Sequence, residues 1–186
     1  APIHAVQRLM LGNSVSADEI ARVEVRSFAN ALRLACRRPA TTEEAQYSLP
    51  FPLAAAILRG QVGPEEVTGE ALWDPAILAM ADRVEMALDE EAEARFPAAR
   101  IARVTIETAD GRRLDSGPTE TLGDPERPID DAGLVAKFQR FAGTVMDHPR
   151  AGAIERAVWG IEGRAVGDLL ALLGPVADGH ALKAAE

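Results

Sequence analysis

The segment from residue 41 to residue 60 constrains the fold of this chain more than any other part of it. It begins with Thr41 and two nearby glutamates, a pattern that caps the free amides of a helix and suits the positive end of its dipole. Residues 53–58 are apolar without interruption, so the helix that they form should be buried on all sides. Pro50 and Pro52 are expected to kink this helix or to delay its start.

Three polar residues, Gln46, Tyr47 and Ser48, lie where the buried helix should begin. Tyr47 is the only tyrosine of the chain, and a phenol beside an amide and a hydroxyl at the mouth of a buried helix is a candidate site. Two simpler interpretations remain open. Tyr47 also fits a half-buried side chain that packs on a hairpin, and Ser48 fits a hydroxyl that bonds its own backbone.

The charge balance excludes several classes of partner. With a net charge of −9, the chain lacks the clustered cations that nucleic acids and polybasic membrane contacts require. Only Lys137 and Lys183 are lysines, so nearly all of the positive charge is arginine. Genome composition explains such a bias, but the guanidinium fork also binds carboxylates in a bidentate manner. Arg37 and Arg38, which lie close in sequence to the polar residues, are therefore candidates for attracting an anion.

Motifs for self-sufficient catalysis are absent from the sequence. It carries no HExxH, CxxC, GxGxxG, P-loop or GxSxG motif, and its three histidines lie far apart, so we expect neither a metal nor another cofactor. Cys36 is the only cysteine, which excludes an internal disulfide and favours a reducing cytoplasm. No apolar run approaches the roughly 20 residues of a membrane span, and no signal peptide is recognised. If the chain belongs to an enzyme, we expect it to supply one wall of a site whose main groups lie elsewhere.

Local patterns predict both strands and helices. Alternating apolar residues predict strands at 22–26 and 84–88, and Asp110-Gly111 predicts a tight hairpin turn within residues 103–116. Helices are predicted at residues 5–11, 29–36, 65–72, 74–82, 130–141, 151–161 and 166–173. We expect the acidic run at residues 89–93 to be a solvated connection and the tail after Pro175 to fray.

These elements predict an α+β protein. Its small antiparallel sheet of about four strands should pack with helices and be followed by C-terminal helices. A turn-rich loop at residues 117–128 suggests a boundary between an α+β domain, residues 1–128, and a helical tail, residues 129–186. The chain begins with Ala rather than Met, so we also expect a processed or trimmed piece of a longer protein.

Several segments resemble one protein family. Residues 42–60 resemble the signature that opens the second domain of the MmgE/PrpD family, the 2-methylcitrate dehydratase-like proteins. Other segments agree with the family in order and spacing, namely Arg100 to Val104 with Asp110-Gly111-Arg112, Gly123-Asp124-Pro125 with Pro128, and Lys137-Phe138. Pro2-Ile3-His4-Ala5 is similar to the family's His…Ile-Asp segment, although His4 occupies the usual Asp position.

The resemblance implies the lid of a two-domain enzyme. Family members have a large helical first domain, which carries most of the catalytic His, Asp and Lys residues, and a smaller α+β lid. A C-terminal helical segment, here residues 129–186, is expected to pack back on the first domain. Family activities are dehydration of 2-methylcitrate, decarboxylation of cis-aconitate and epimerisation of iminodisuccinate. The implied partners are a small polycarboxylate, the N-terminal helical domain of the same protein and, in a bacterial homodimer, a second copy.

The resemblance also suggests site residues. The lid of the family usually contributes a tyrosine from the signature helix, but Phe51 stands at that position, and Tyr47 lies four residues earlier. Tyr47 is therefore the expected catalytic residue, with Gln46, Ser48, Arg37 and Arg38 as substrate-binding candidates. The expected function is that of a lyase or isomerase lid. The alternative is a non-catalytic interaction or oligomerisation module, which the leucine-rich last helix favours.

Overall fold

The computed structural model describes residues 1–174, which fall into two compact units, the first from Ala1 to Asp124 and the second beginning at Pro125. The first unit contains, in chain order, α1 (Pro2–Asn13), β1 (Ile20–Ser27), α2 (Ala29–Leu32), α3 (Thr42–Gln46), α4 (Pro50–Arg59), α5 (Pro64–Val67), α6 (Pro75–Asp82), β2 (Val84–Leu88), α7 (Glu90–Arg95), β3 (Ile101–Thr108), β4 (Arg113–Asp115) and β5 (Thr119–Glu120). The described part of the second unit contains α8 (Asp131–Ala142), α9 (His148–Trp159) and α10 (Val166–Leu173).

The strands form one mixed sheet, which confirms the predicted α+β class. Its order is β2-β1-β3-β4, and β5 pairs with β3 at the end away from β4. Within the described residues there are five strands, and β1 and β2 run parallel, whereas the sequence predicts about four antiparallel strands. The difference arises because the long connection from β1 to β2 contains α2 to α6, and such a helical crossover returns the chain to the end from which it started.

The core of the first unit lies between one face of this sheet and its helices. α4 packs against α1 and α6, and α1 also contacts β3. The side chains of Ile20, Val23 and Ile106 point into this layer from the sheet, and they are almost completely buried. Aliphatic residues dominate the core because the chain has few aromatic residues, 4% of the total.

The opposite face of the sheet is charged, which explains the alternation of buried and more exposed residues along β1. Arg22 forms ion pairs with Glu85 at 2.6 Å and with Glu107 at 3.3 Å, bridging three neighbouring strands. Arg103 pairs with Asp115 at 2.9 Å on β4. These pairs are partly exposed, so they contribute little free energy of folding, but they keep this face polar.

Most predicted elements are confirmed, and three local predictions are wrong. The predicted helix at residues 65–72 is interrupted at Thr68, whose backbone is extended. The hairpin turns at Gly111, whose φ of 88° suits glycine. The predicted helix at residues 29–36 is limited to α2, and residues 33–41 form neither helix nor strand. The acidic run is helix α7 rather than a connection, because Asp89 caps it by accepting a hydrogen bond from the Ala92 amide at 3.0 Å. The predicted fraying after Pro175 lies outside the described residues.

Candidate functional site

Residues 41–60 form two short helices, α3 and α4, with a break between them at residues 47–49. The predicted cap is present, since the Thr41 hydroxyl accepts a hydrogen bond from the Glu44 amide at 3.2 Å. The Glu44 carboxylate in turn accepts one from the Ala40 amide at 2.7 Å. The break occurs because Pro50 and Pro52 have no N–H, so a single continuous helix would lose two of its backbone bonds. At the start of a new helix the same prolines are tolerated.

Ser48 holds this break together. Its side chain is nearly buried, at 7% exposure. The hydroxyl donates a hydrogen bond to the carbonyl of Cys36, twelve residues earlier, and accepts one from the amide of Phe51 at 3.2 Å. The neighbouring amide of Leu49 donates to the carbonyl of Leu34 at 2.8 Å. The break is thus fastened to the loop that precedes α3.

The N-terminus of α4 offers no free amide to a ligand. Pro50 and Pro52 have no N–H, the Phe51 amide is bound to Ser48, and the Leu53 amide donates to the Leu49 carbonyl at 3.2 Å. A helix N-terminus binds anions through unpaired amides, so this one cannot hold a carboxylate in that way. Any anion at the break must be held by side chains.

Tyr47 is the most accessible polar group of the break. Its side chain is 72% exposed, so the alternative of a half-buried tyrosine packed on the hairpin is wrong. Within residues 1–174 neither its hydroxyl nor the exposed amide of Gln46 forms a hydrogen bond. Phe51, at the position where the family usually has tyrosine, is completely buried in the core. The structure therefore offers the phenol of Tyr47 and the amide of Gln46 to solvent, side by side in sequence.

The two candidate arginines are engaged with acceptors of the chain itself. Arg37 is half-buried and donates two hydrogen bonds, at 3.1 and 2.7 Å, to the carbonyl of Val84 at the start of β2. Arg38 is more exposed and pairs with Asp82 at 2.5 Å. The charge of Arg37 also helps to lower the pKa of Glu85, for which the main cause is the hydrogen bond from Arg22. Arg37 thus braces the loop beside Ser48, while Arg38 turns toward the end of α6.

The sequence indicates the polar side chains of the break but not the groups to which they are bound. The acceptors that fix Ser48 and Arg37 are the backbone carbonyls of Cys36 and Val84, and a carbonyl is present in every residue. Only the two prolines, which leave a gap in the helical hydrogen bonds, signal that an outside partner is needed. Among residues 1–174 no cluster of three or more His, Cys, Asp or Glu residues is arranged to hold a metal ion.

In structural class, this chain is an α+β protein in which a polar break precedes a buried helix. The family model of the MmgE/PrpD C-terminal domain matches residues 1–162, so the chain belongs to this family, as its motifs predict. Comparison with curated proteins gives no significant match. In the part of the chain that the structure covers, every helix is too short or too polar to cross a bilayer.

Proposed function

We propose that this chain is the lid-type domain of an MmgE/PrpD-like lyase or isomerase that acts on a small polycarboxylate. Residues 1–128 form the lid, and residues 129–186 form a helical tail that packs on an N-terminal helical domain of the same protein. The family membership supports an N-terminal partner domain, since the matching model is that of a C-terminal domain. We place the enzyme in the cytoplasm, as a homodimer.

The observation that carries the proposal is the exposed hydroxyl of Tyr47, which has no partner within the described residues and is held at a fixed backbone position. Removing a group next to a carboxylate requires a base and donors that stabilise the developing charge. Tyr47 supplies such a donor, and the amide of Gln46 supplies a second contact to the substrate. The base comes from the N-terminal domain.

Arginines contribute the attraction for the substrate. The chain carries a net charge of −9, so a polyanion approaches it best where positive charge is concentrated. Arg37 and Arg38 provide this charge in the loop beside the break. Because Arg37 is bound to Val84, its contribution is a local field rather than a direct contact, whereas the exposed Arg38 can exchange Asp82 for a substrate carboxylate.

The reaction can be assigned by supplying the full-length protein with 2-methylcitrate, cis-aconitate and iminodisuccinate in turn. Dehydration would appear as absorbance of a new double bond, decarboxylation as released carbon dioxide, and epimerisation as a change of circular dichroism. Turnover of one of these acids supports the proposal, and the 186-residue chain alone should then be inactive because it lacks the base. Failure of all three acids, or full activity of this chain alone, would contradict it.

A non-catalytic interaction module is the second candidate, and apolar side chains on the second unit favour it. A groove of about 270 Å³ between α8 and α9 is lined mainly by apolar residues, including Leu134, Phe138 and Trp159. Leu170 and Leu173 on α10 are more than half exposed. Light scattering separates the two candidates. A defined oligomer of this chain favours the interaction module, whereas aggregation that an added helical domain prevents favours the enzyme lid.

A further inference from the structure

We infer that Ser48 is a positioning residue, which fixes the backbone beside Tyr47 and so limits the positions that the phenol can reach. This inference rests on the proposed role of Tyr47 and adds a second residue to the same site. Ser48 acts through Tyr47 and does not itself touch the substrate.

The hydrogen-bonding capacity of Ser48 supports this role. A serine hydroxyl has one donor and two acceptor positions. The donor is used by the Cys36 carbonyl, and one acceptor position is used by the Phe51 amide. Since no donor remains and the side chain is only 7% exposed, Ser48 has nothing to offer to a carboxylate of the substrate.

The backbone of Tyr47 is restrained from both sides. On the N-terminal side, its own amide donates to the Glu43 carbonyl at 3.0 Å and so completes the last turn of α3. On the C-terminal side, Ser48 ties the chain to the Cys36 carbonyl. Next to Cys36, Arg37 is bound to the carbonyl of Val84 at the start of β2. The break therefore has a continuous connection to the sheet, and only the side-chain torsions of Tyr47 remain free.

Ser27 provides a matched control for the hydroxyl of Ser48. It is also buried, at 2% exposure, and its hydroxyl donates to the carbonyl of Ile101 at 2.8 Å. Replacing Ser27 by alanine removes the partner of the Ile101 carbonyl, and replacing Ser48 removes the partner of the buried Phe51 amide, so both variants should lose stability because a polar group is left unpaired. Only the Ser48 variant should disturb Tyr47.

The test uses the single tyrosine of the chain. A tyrosine labelled only at its two equivalent ε carbons gives one NMR signal in the 186-residue protein, and that signal reports the surroundings of Tyr47 directly. Ser48→Ala should shift or broaden it, Ser48→Thr should restore it, and Ser27→Ala should leave it unchanged. An unchanged signal in Ser48→Ala would overturn the inference, as would an equal change in Ser27→Ala.

Two further measurements test the role of Ser48 even if the Ser48→Ala variant does not fold or the proposed function is wrong. If Ser48→Ala does not fold, hydrogen exchange of the Phe51 amide in the unmodified protein decides, because a bond to Ser48 requires slow exchange and rapid exchange would exclude it. In the full-length enzyme, Ser48→Ala should lower kcat about tenfold while Ser27→Ala does not. If no polyacid is turned over, the proposed function fails, yet the NMR signal still decides the role of Ser48.

Discussion

At Tyr47 the phenol ring lies mostly in water, while the backbone on both sides of it is held by hydrogen bonds. A tyrosine side chain has only two torsions to fix, so holding it in place costs little conformational entropy when a ligand binds. An exposed hydroxyl on a restrained backbone is therefore suited to meet a group that arrives from outside the domain. Phe51 has the opposite environment, since it is completely buried and serves the core.

Asp74 should make the stability of the folded protein depend on pH. Its carboxylate caps α6 by accepting from the Ala76 amide at 2.9 Å and pairs with Arg59 at 2.9 Å. The hydrogen bond from Arg59, followed by that from Ala76, lowers the pKa of Asp74 in the folded protein. Its stabilisation is therefore present above the unfolded pKa of about 3.9 and is lost as pH falls through the lower folded value.

Asp74→Ala should accordingly reduce the free energy of unfolding by about 1 kcal/mol at pH 7. Urea titrations at a series of pH values should show this difference shrinking below about pH 4. Asp82→Ala is the control, because Asp82 forms an exposed pair with Arg38 and caps no helix N-terminus, so its removal should change stability by less than about 0.5 kcal/mol. A difference for Asp74→Ala that persists undiminished into acid would contradict the assignment.

At the scale of elements, α4 is a core helix whose first turn directly follows the break that carries the candidate site. Phe51 is completely buried within that turn, so a hydroxyl added to its ring would have no solvent to bond. Phe51→Tyr should therefore lower the free energy of unfolding by about 1–3 kcal/mol. The matched change Tyr47→Phe removes an exposed hydroxyl and should alter stability by less than about 0.5 kcal/mol. Urea unfolding of both variants checks this, and equal effects would argue against the burial of residue 51.

Elements with local signals were predictable from the sequence. The turn at Asp110-Gly111 and the cap at Thr41 both act within a few residues, and the structure has each of them. Elements that depend on distant contacts were not predictable. The parallel pairing of β1 with β2 is set by where a long crossover returns the chain, and α7 required Asp89 to act as a cap rather than as a solvated charge.

The candidate site divides in the same way. The residue types of Gln46, Tyr47 and Ser48 and the position of the two prolines were informative, because prolines interrupt a helix locally and so mark the break at which these polar residues lie. The partner of Ser48, however, is a carbonyl twelve residues away, and the partner of Arg37 is a carbonyl at the start of β2. Backbone acceptors leave no pattern in a sequence, so the hydrogen bonds that hold the break can be identified only from the structure.

At the scale of the whole molecule, the two units differ in how much core each contains. The main hydrophobic cluster lies entirely in the first unit, between Ala5 and Ile106. In the described part of the second unit the buried apolar side chains are three alanines and one isoleucine, namely Ala142, Ala151, Ile154 and Ala157. A segment with so little buried apolar surface is unlike an independently stable domain.

A chain ending at Asp124 should therefore fold by itself and unfold in one cooperative transition. Its separately prepared counterpart from Pro125 onward should unfold gradually, without a defined midpoint. Circular dichroism during urea titration distinguishes the two outcomes. If the chain that ends at Asp124 does not unfold cooperatively, the core of the first unit depends on residues beyond Asp124.

The central claim is that Tyr47 acts on the substrate. The most direct measurement is kcat/KM of the full-length Tyr47→Phe variant on the polyacid that the unmodified enzyme turns over, with the free energy of unfolding determined beside it. We predict that kcat/KM falls by about a hundredfold, since a positioned proton or hydrogen-bond donor is lost, while stability changes by less than about 0.5 kcal/mol. Unchanged kcat and KM would remove Tyr47 from the mechanism.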